Sequence, residues 1–112
     1  MVWAQDARSQ GPSVAVAQSI ETWIEKTVSQ HVELYQWLHT HPEVSLQEKD
    51  TAAKLAEVWR AAGMEVTQGV GGHGIVGVLK NGPGPVVMLR TDLDALPVEE
   101  RTGLPYASTA KV

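Results

Sequence analysis

The chain has 112 residues, 43% of them hydrophobic and 20% charged, which is enough apolar material for a core and excludes wholesale disorder. Nine basic against thirteen acidic residues give a formal charge of -4 without any basic cluster, which argues against a nucleic-acid partner. No apolar run approaches the ~20 residues of a membrane span, and the absence of cysteine excludes a disulfide framework or a thiolate metal site within the chain.

Residues 1–13, MVWAQDARSQGPS, show no helical or strand period, and Gly11-Pro12 marks a linker. Val2-Trp3-Ala4 before Gln5 matches the small-x-Ala end of a secretory signal, but the charged and apolar regions of such a signal are missing. The segment therefore reads either as a linker or as the residual end of a signal peptide. The first alternative suits a cytoplasmic protein and the second an exported or periplasmic one.

From residue 14 to about 39 the spacing is helical. Ile20, Trp23, Ile24, Val28, His31, Leu34, Tyr35 and Leu38 recur at three and four, and this stripe is expected in the core. Pro42 ends the segment. A second helix is predicted from Ser45, where Ser45 and Glu48 have capping-box spacing. Ala52, Leu55, Ala56 and Trp59 form its apolar face, and Gly63 stops it. The period then changes to two. Strands are predicted at 64–68 and 75–80, separated by the glycine-rich turn 69–74. After the turn 81–85, the apolar run 86–89 suits a strand buried on both faces. The remainder, 98–112, reads as loop.

Several residues invite a chemical reading. Gly69, Gly71 and Gly74 match G-x-G-x-x-G, but a dinucleotide site needs a helix after the glycines and here a strand follows, so a turn is the better account. His39 and His41 lie beside Glu43, yet positions i and i+2 do not share a helix face, so imidazoles bonded to the last carbonyls of a helix are preferred to a metal site. Asp92 and Asp94 form the sharpest pattern. They stand at the C-terminal end of the apolar run 86–89, and in open α/β sheets that end is where ligands bind. Carboxylates there either hold a cation or orient a residue that does. The alternative is a solvated strand end with Asp94 capping a turn. Glu99 and Glu100 read as solvated surface, since nothing places them in a dry site.

Leu38-His39-Thr40-His41-Pro42-Glu43, Glu48 with Thr51-Ala52, the run 74–79 (GIVGVL), the run 89–97 (LRTDLDALP) and the run 103–108 (GLPYAS) follow one another in a specific order. In these motifs the chain resembles the metal-dependent amidohydrolases related to aminoacylase and the zinc carboxypeptidases, in particular the group of hippurate hydrolase and the plant indoleacetyl-amino-acid hydrolases. The resemblance runs from about Tyr35 to Ser108. It implies an α/β fold: the N-terminal portion of a zinc-exopeptidase-like catalytic domain, with two helices followed by strands of a mixed, mostly parallel sheet. This portion would be an incomplete domain over 14–112.

The resemblance also implies an activity for the parent enzyme, the hydrolysis of N-acyl amino acids or short peptides. Two divalent ions (Zn, Mn, Co or Ni) would hold the attacking water and polarise the amide carbonyl. By family likeness the ligands, a Cys-Gly-His-Asp motif among them, and the general base come after Val112, so no metal and no activity are expected of this chain alone. The wider family has His-x-Asp where this chain has Asp92-Leu93-Asp94. Asp92 is thus expected in the vicinity of the site without being a ligand, and Asp94 is expected to orient the metal site. His73 and Thr91 depart from the group's usual Thr and Ala. The implied partner is a small N-acyl amino acid or peptide, and the parent is compatible with a homo-oligomer. Two alternatives stay open: a dipeptidase or carboxypeptidase of the same family, and a non-catalytic module that binds through an exposed sheet edge.

Overall fold

The computed structural model describes residues 13–111. The reading of 1–13 as linker or signal end lies outside these residues, apart from Ser13. In chain order the elements are α1 (Val14–Thr40), α2 (Lys49–Ala61), β1 (Glu65–Val70) and β2 (Gly74–Val78). Among the described residues no helix is long and apolar enough to cross a membrane. The chain divides into two compact units, Met1–Leu34 and Tyr35–Val112.

In the first unit, the described part is α1 up to Leu34. The helix forms where the three-four spacing places it, but its stripe is not a core. No residue of α1 is buried, and Ile20, Trp23, Ile24 and Val28 are each about half exposed or more. The physical reason is that this unit offers no second element among its described residues to cover the stripe. Its bonds are local: the helical backbone ladder, with the Ser19 and Thr27 hydroxyls donating back to the carbonyls of Ala15 and Trp23, and the His31 ring edge-on to Trp23 at 5.6 Å.

The second unit contains the end of α1, then α2 and the hairpin. Helix α2 starts three residues later than the capping-box spacing suggests, with Glu48 and not Ser45 at the N-cap position. Ser45 and Glu48 do not cap it: Glu48 has no side-chain cap bond, and its Oε1 accepts the Leu46 N–H at 2.9 Å. The cap comes from further back. Glu43 Oε1 accepts the Asp50 N–H at 3.0 Å and Oε2 the Thr51 N–H at 2.6 Å. A carboxylate there satisfies two donors that the first turn leaves open and complements the positive end of the helix.

The other end of α2 follows the glycine rule. Gly63, with φ 84, donates to the Arg60 carbonyl, and Met64 N–H reaches back to Trp59 O at 3.0 Å. This is the Schellman pattern, in which the residue after the cap must be left-handed. It folds Met64 back beside Trp59, and both side chains lie against the α-carbon of Gly77 on β2, where a Cβ would come within 2.8 Å of Trp59 Cε3 and 3.0 Å of Met64 Sδ. Helix α2 thus packs on the hairpin, with Ala52 and Ala56, four residues apart, as its buried apolar residues.

Strands β1 and β2 pair antiparallel, Glu65 opposite Val78 through to Val70 opposite Gly74, with a register shift between Gln68 and Val70. Gly71 and Gly72 both take positive φ in the connecting turn, so the glycine motif is a hairpin and not a phosphate loop. The chain is a small α/β piece whose described sheet has these two strands only. The strand expected at 86–89 is corrected, and the described sheet is an antiparallel hairpin. Val86 and Leu89 are 98% and 96% exposed, and the segment has no ladder. A run apolar on both faces needs neighbours on both edges, and no other strand among the described residues pairs with it.

Candidate functional site

Two clefts adjoin each other in the second unit and share Leu38, Pro42 and Ala95. Both are built where the segment after α1 meets the irregular segment 92–100.

The first cleft, of about 250 Å³, is lined by Leu96 and Val98 together with His39, Glu100 and Ser108. His39 comes from the last turn of α1. Its Nε2 donates to Glu100 Oε2 at 2.6 Å, and Glu100 also accepts the backbone N–H of Ser108 at 3.0 Å. Tyr35 stacks on the His39 ring at 5.6 Å, and Tyr106 meets it edge-on at 5.8 Å. The hydrogen bond from His39 and then the Ser108 N–H hold the Glu100 carboxyl below its ordinary range. The reading of Glu100 as solvated surface is therefore corrected: the residue ties 98–108 to the end of α1. Glu99 does lie at the surface, paired with Lys111 at 3.0 Å. Sequence alone carries no signal for the His39–Glu100 pair, because 61 positions separate the partners.

The second cleft, of about 210 Å³, gathers His41, Glu43, Thr51, Asp92 and Asp94. His41 Nδ1 donates to the Trp37 carbonyl at 2.8 Å and its ring stacks on Trp37 at 4.6 Å, so this histidine does close the helix. The bond that His39 makes is instead from Nε2 to Glu100. Asp92 pairs with Arg90 at 2.6 Å, both side chains being exposed. Asp94 Oδ2 accepts the Ser45 hydroxyl at 2.6 Å, and the next residue, Ala95, donates its N–H to the Glu43 main-chain carbonyl at 2.7 Å. The two aspartates border one cleft, as their i, i+2 spacing allows, but they reach it from irregular chain and not from a strand end.

Glu43 is the residue whose role the sequence reading missed. Burial pushes its carboxyl up, but the Thr51 side chain and N–H and the Asp50 N–H outweigh that, with a smaller contribution from His73, and the group stays below its ordinary range. The only sequence hint was its place two residues past His41 and directly after Pro42; its partners lie seven and eight positions on.

Among the described residues, no set of three or more His, Cys, Asp or Glu side chains converges on a point where a cation could sit. His39, His41 and Glu43 each spend a polar atom on the fold, and what the arrangement offers is a carboxylate-lined cleft with fixed walls.

Comparison with known proteins places this geometry in a context. The chain is 40% identical over 94 residues to thermostable carboxypeptidase 1 of Saccharolobus solfataricus, covering 82% of this chain and 22% of that protein. It is 43% identical over 72 residues to hippurate hydrolase of Campylobacter jejuni, covering 63% and 19%. It is 39% identical over 75 residues to N-acetyl-L-cysteine deacetylase of Bacillus subtilis, covering 66% and 18%. The chain is thus similar to the N-terminal region of amidohydrolases and carboxypeptidases, and it spans about a fifth of the length of the curated relatives it matches. No family model matches the chain, and no solved structure does.

Proposed function

We propose that this chain is the N-terminal segment, 14–112, of a metal-dependent amidohydrolase that cleaves the amide bond of N-acyl amino acids. Residues 1–13 would form a linker or the end of an export signal, and the segment would be completed by later strands into a zinc-exopeptidase-like, mostly parallel sheet. The observation that carries the proposal is the similarity to hydrolases over most of this chain, hippurate hydrolase and a deacetylase among them. That Asp92, Asp94 and Glu43 all border one cleft is in keeping with it.

Under this reading, two divalent ions and the general base belong to parts of the enzyme beyond these residues. The described side chains do not fit a metal by themselves, so they would shape and support the site. Asp94 would present a carboxylate at its margin, and Asp92 would stand nearby. The carboxypeptidase of Saccharolobus solfataricus, matched over the longest stretch quoted above, favours a peptidase as the second reading.

The test is kcat/KM of the complete enzyme on N-acetyl and N-benzoyl amino acids against dipeptides. Preference for the acyl amino acids supports an amidohydrolase, and preference for dipeptides supports the second reading. Asp94→Ala should lower kcat/KM by about 10–100-fold, as loss of a supporting group at such a site does. Glu99→Ala should leave it near wild type. Full activity of Asp94→Ala would remove that residue from the site.

A further inference from the structure

We infer that Ser45 is a positioning residue for Asp94, its hydroxyl fixing the rotation of the carboxylate at the site proposed above; the inference rests on that reading of Asp94. Ser45 Oγ donates to Asp94 Oδ2 at 2.6 Å across 49 positions of sequence. That is the short range of a hydrogen bond to a charged acceptor. An isolated contact between two exposed side chains would exchange readily with water. This one is braced on both sides.

On the serine side, Glu43 is pinned to the first turn of α2 by the N–H groups of Asp50 and Thr51. On the aspartate side, Ala95 N–H donates to the main-chain oxygen of that same Glu43 at 2.7 Å. The backbone bond fixes the separation of segments 43–45 and 94–95. With that separation fixed, the hydroxyl has only the carboxylate's rotation left to set.

A third observation is independent of these bonds. Leu46, directly after Ser45, has φ 70, the one described non-glycine residue in the left-handed region. Its side chain is 82% exposed, so burial does not hold it there. The Leu46 N–H is instead held by Glu48 Oε1. A strained non-glycine turn persists only where its surroundings over-determine it, and such turns cluster at functional sites. Here the strained turn directly follows Ser45 in the chain.

The experiment compares Ser45→Ala, Ser45→Thr, Asp94→Ala and the double Ser45→Ala/Asp94→Ala variant in the complete enzyme. Ser45→Ala should lower kcat by about 10-fold with KM little changed, the loss expected when a reacting geometry is loosened. Ser45→Thr, which keeps the hydroxyl, should recover most of it. In the Asp94→Ala background, Ser45→Ala should cost nothing more, because the group it positions is gone. A merely structural serine would instead give additive losses. If Asp94→Ala is impaired while Ser45→Ala is not, or if the two add, positioning by Ser45 is overturned and the reading of Asp94 stands. If Asp94→Ala is itself fully active, both fall. A second measurement uses the 112-residue chain: the Asp94 carboxyl-carbon resonance should move in Ser45→Ala and return in Ser45→Thr, and an unmoved resonance refutes the bond.

Discussion

Replacing Glu43 by alanine tests the cap that holds the segment after α1 to the first turn of α2. The substitution removes the acceptors of two backbone N–H groups, those of Asp50 and Thr51, at 3.0 and 2.6 Å. Loss of a side-chain cap costs about 0.5–2 kcal/mol, and a carboxylate at the positive end of a helix adds about 0.3–1 kcal/mol. The Thr51 site is buried, which makes its stranded N–H the costlier of the two. An expected loss is therefore about 1–2 kcal/mol, or roughly 5–15 °C in Tm for a unit of this size.

Glu48→Ala is the control, because capping-box spacing would make Glu48 the important carboxylate, whereas here it accepts only the Leu46 N–H. Urea unfolding gives the global cost, and amide hydrogen exchange at Asp50 and Thr51 gives the local one. The pH dependence has a fixed sign. The folded carboxyl of Glu43 lies below its unfolded value, so its stabilisation is complete above the ordinary glutamate range and disappears as pH falls through the lowered folded value. Equal losses for Glu43→Ala and Glu48→Ala, or exchange at Asp50 and Thr51 unchanged by Glu43→Ala, would refute the assignment of the cap.

Three further outcomes follow from the same geometry. Gly77→Ala should destabilise by about 1–3 kcal/mol in urea unfolding, since its Cβ would meet Trp59 Cε3 at 2.8 Å and Met64 Sδ at 3.0 Å; an unchanged midpoint would mean that α2 does not seat on β2 there. Glu100→Gln should speed exchange of the Ser108 amide above the glutamate range and abolish a loss of protection that wild type shows as pH falls through the lowered value, whereas Glu99→Gln should do neither. The 112-residue chain should bind zinc no tighter than about micromolar and turn over no N-acyl amino acid with zinc, manganese or cobalt, because no three ligands converge among its described residues; stoichiometric tight binding by calorimetry, lost in His39→Ala, would contradict this.

The elements that local spacing controls were legible in the sequence. Helix α1 ends at Thr40, close to the expected 39, because Pro42 and the apolar period act within a few residues. The hairpin forms where the period changes from four to two, with its glycines in the positive-φ turn. What spacing could not reveal is which groups meet across long separations. Ser45 and Glu48 have the pattern of a cap, but Ser45 is drawn to Asp94, and Glu43 takes the helix end. The pattern states what a local turn would satisfy, and a tertiary partner of full charge outcompetes it.

The same distinction explains the two apolar segments that failed to become core. A period of three and four in α1, and the continuous run at 86–89, each state that a face is apolar. Neither states what lies against it. In the second unit Gly63 turns the chain back and the hairpin closes on α2, where Trp59 and Met64 meet Gly77. That covering is short-range in sequence, from Trp59 to Gly77. Among the described residues, the stripe of α1 up to Leu34 has no such neighbour in its own unit, and 86–89 has no strand on either edge. Asp92 and Asp94 depend on the same point. Their reading as a strand-end pair assumed a sheet around 86–89, and without one they are held by Arg90 and Ser45. Their place beside a single cleft therefore comes from the Glu43–Ala95 backbone bond and the Ser45 hydroxyl, and those two contacts are where a perturbation of the cleft would first be felt.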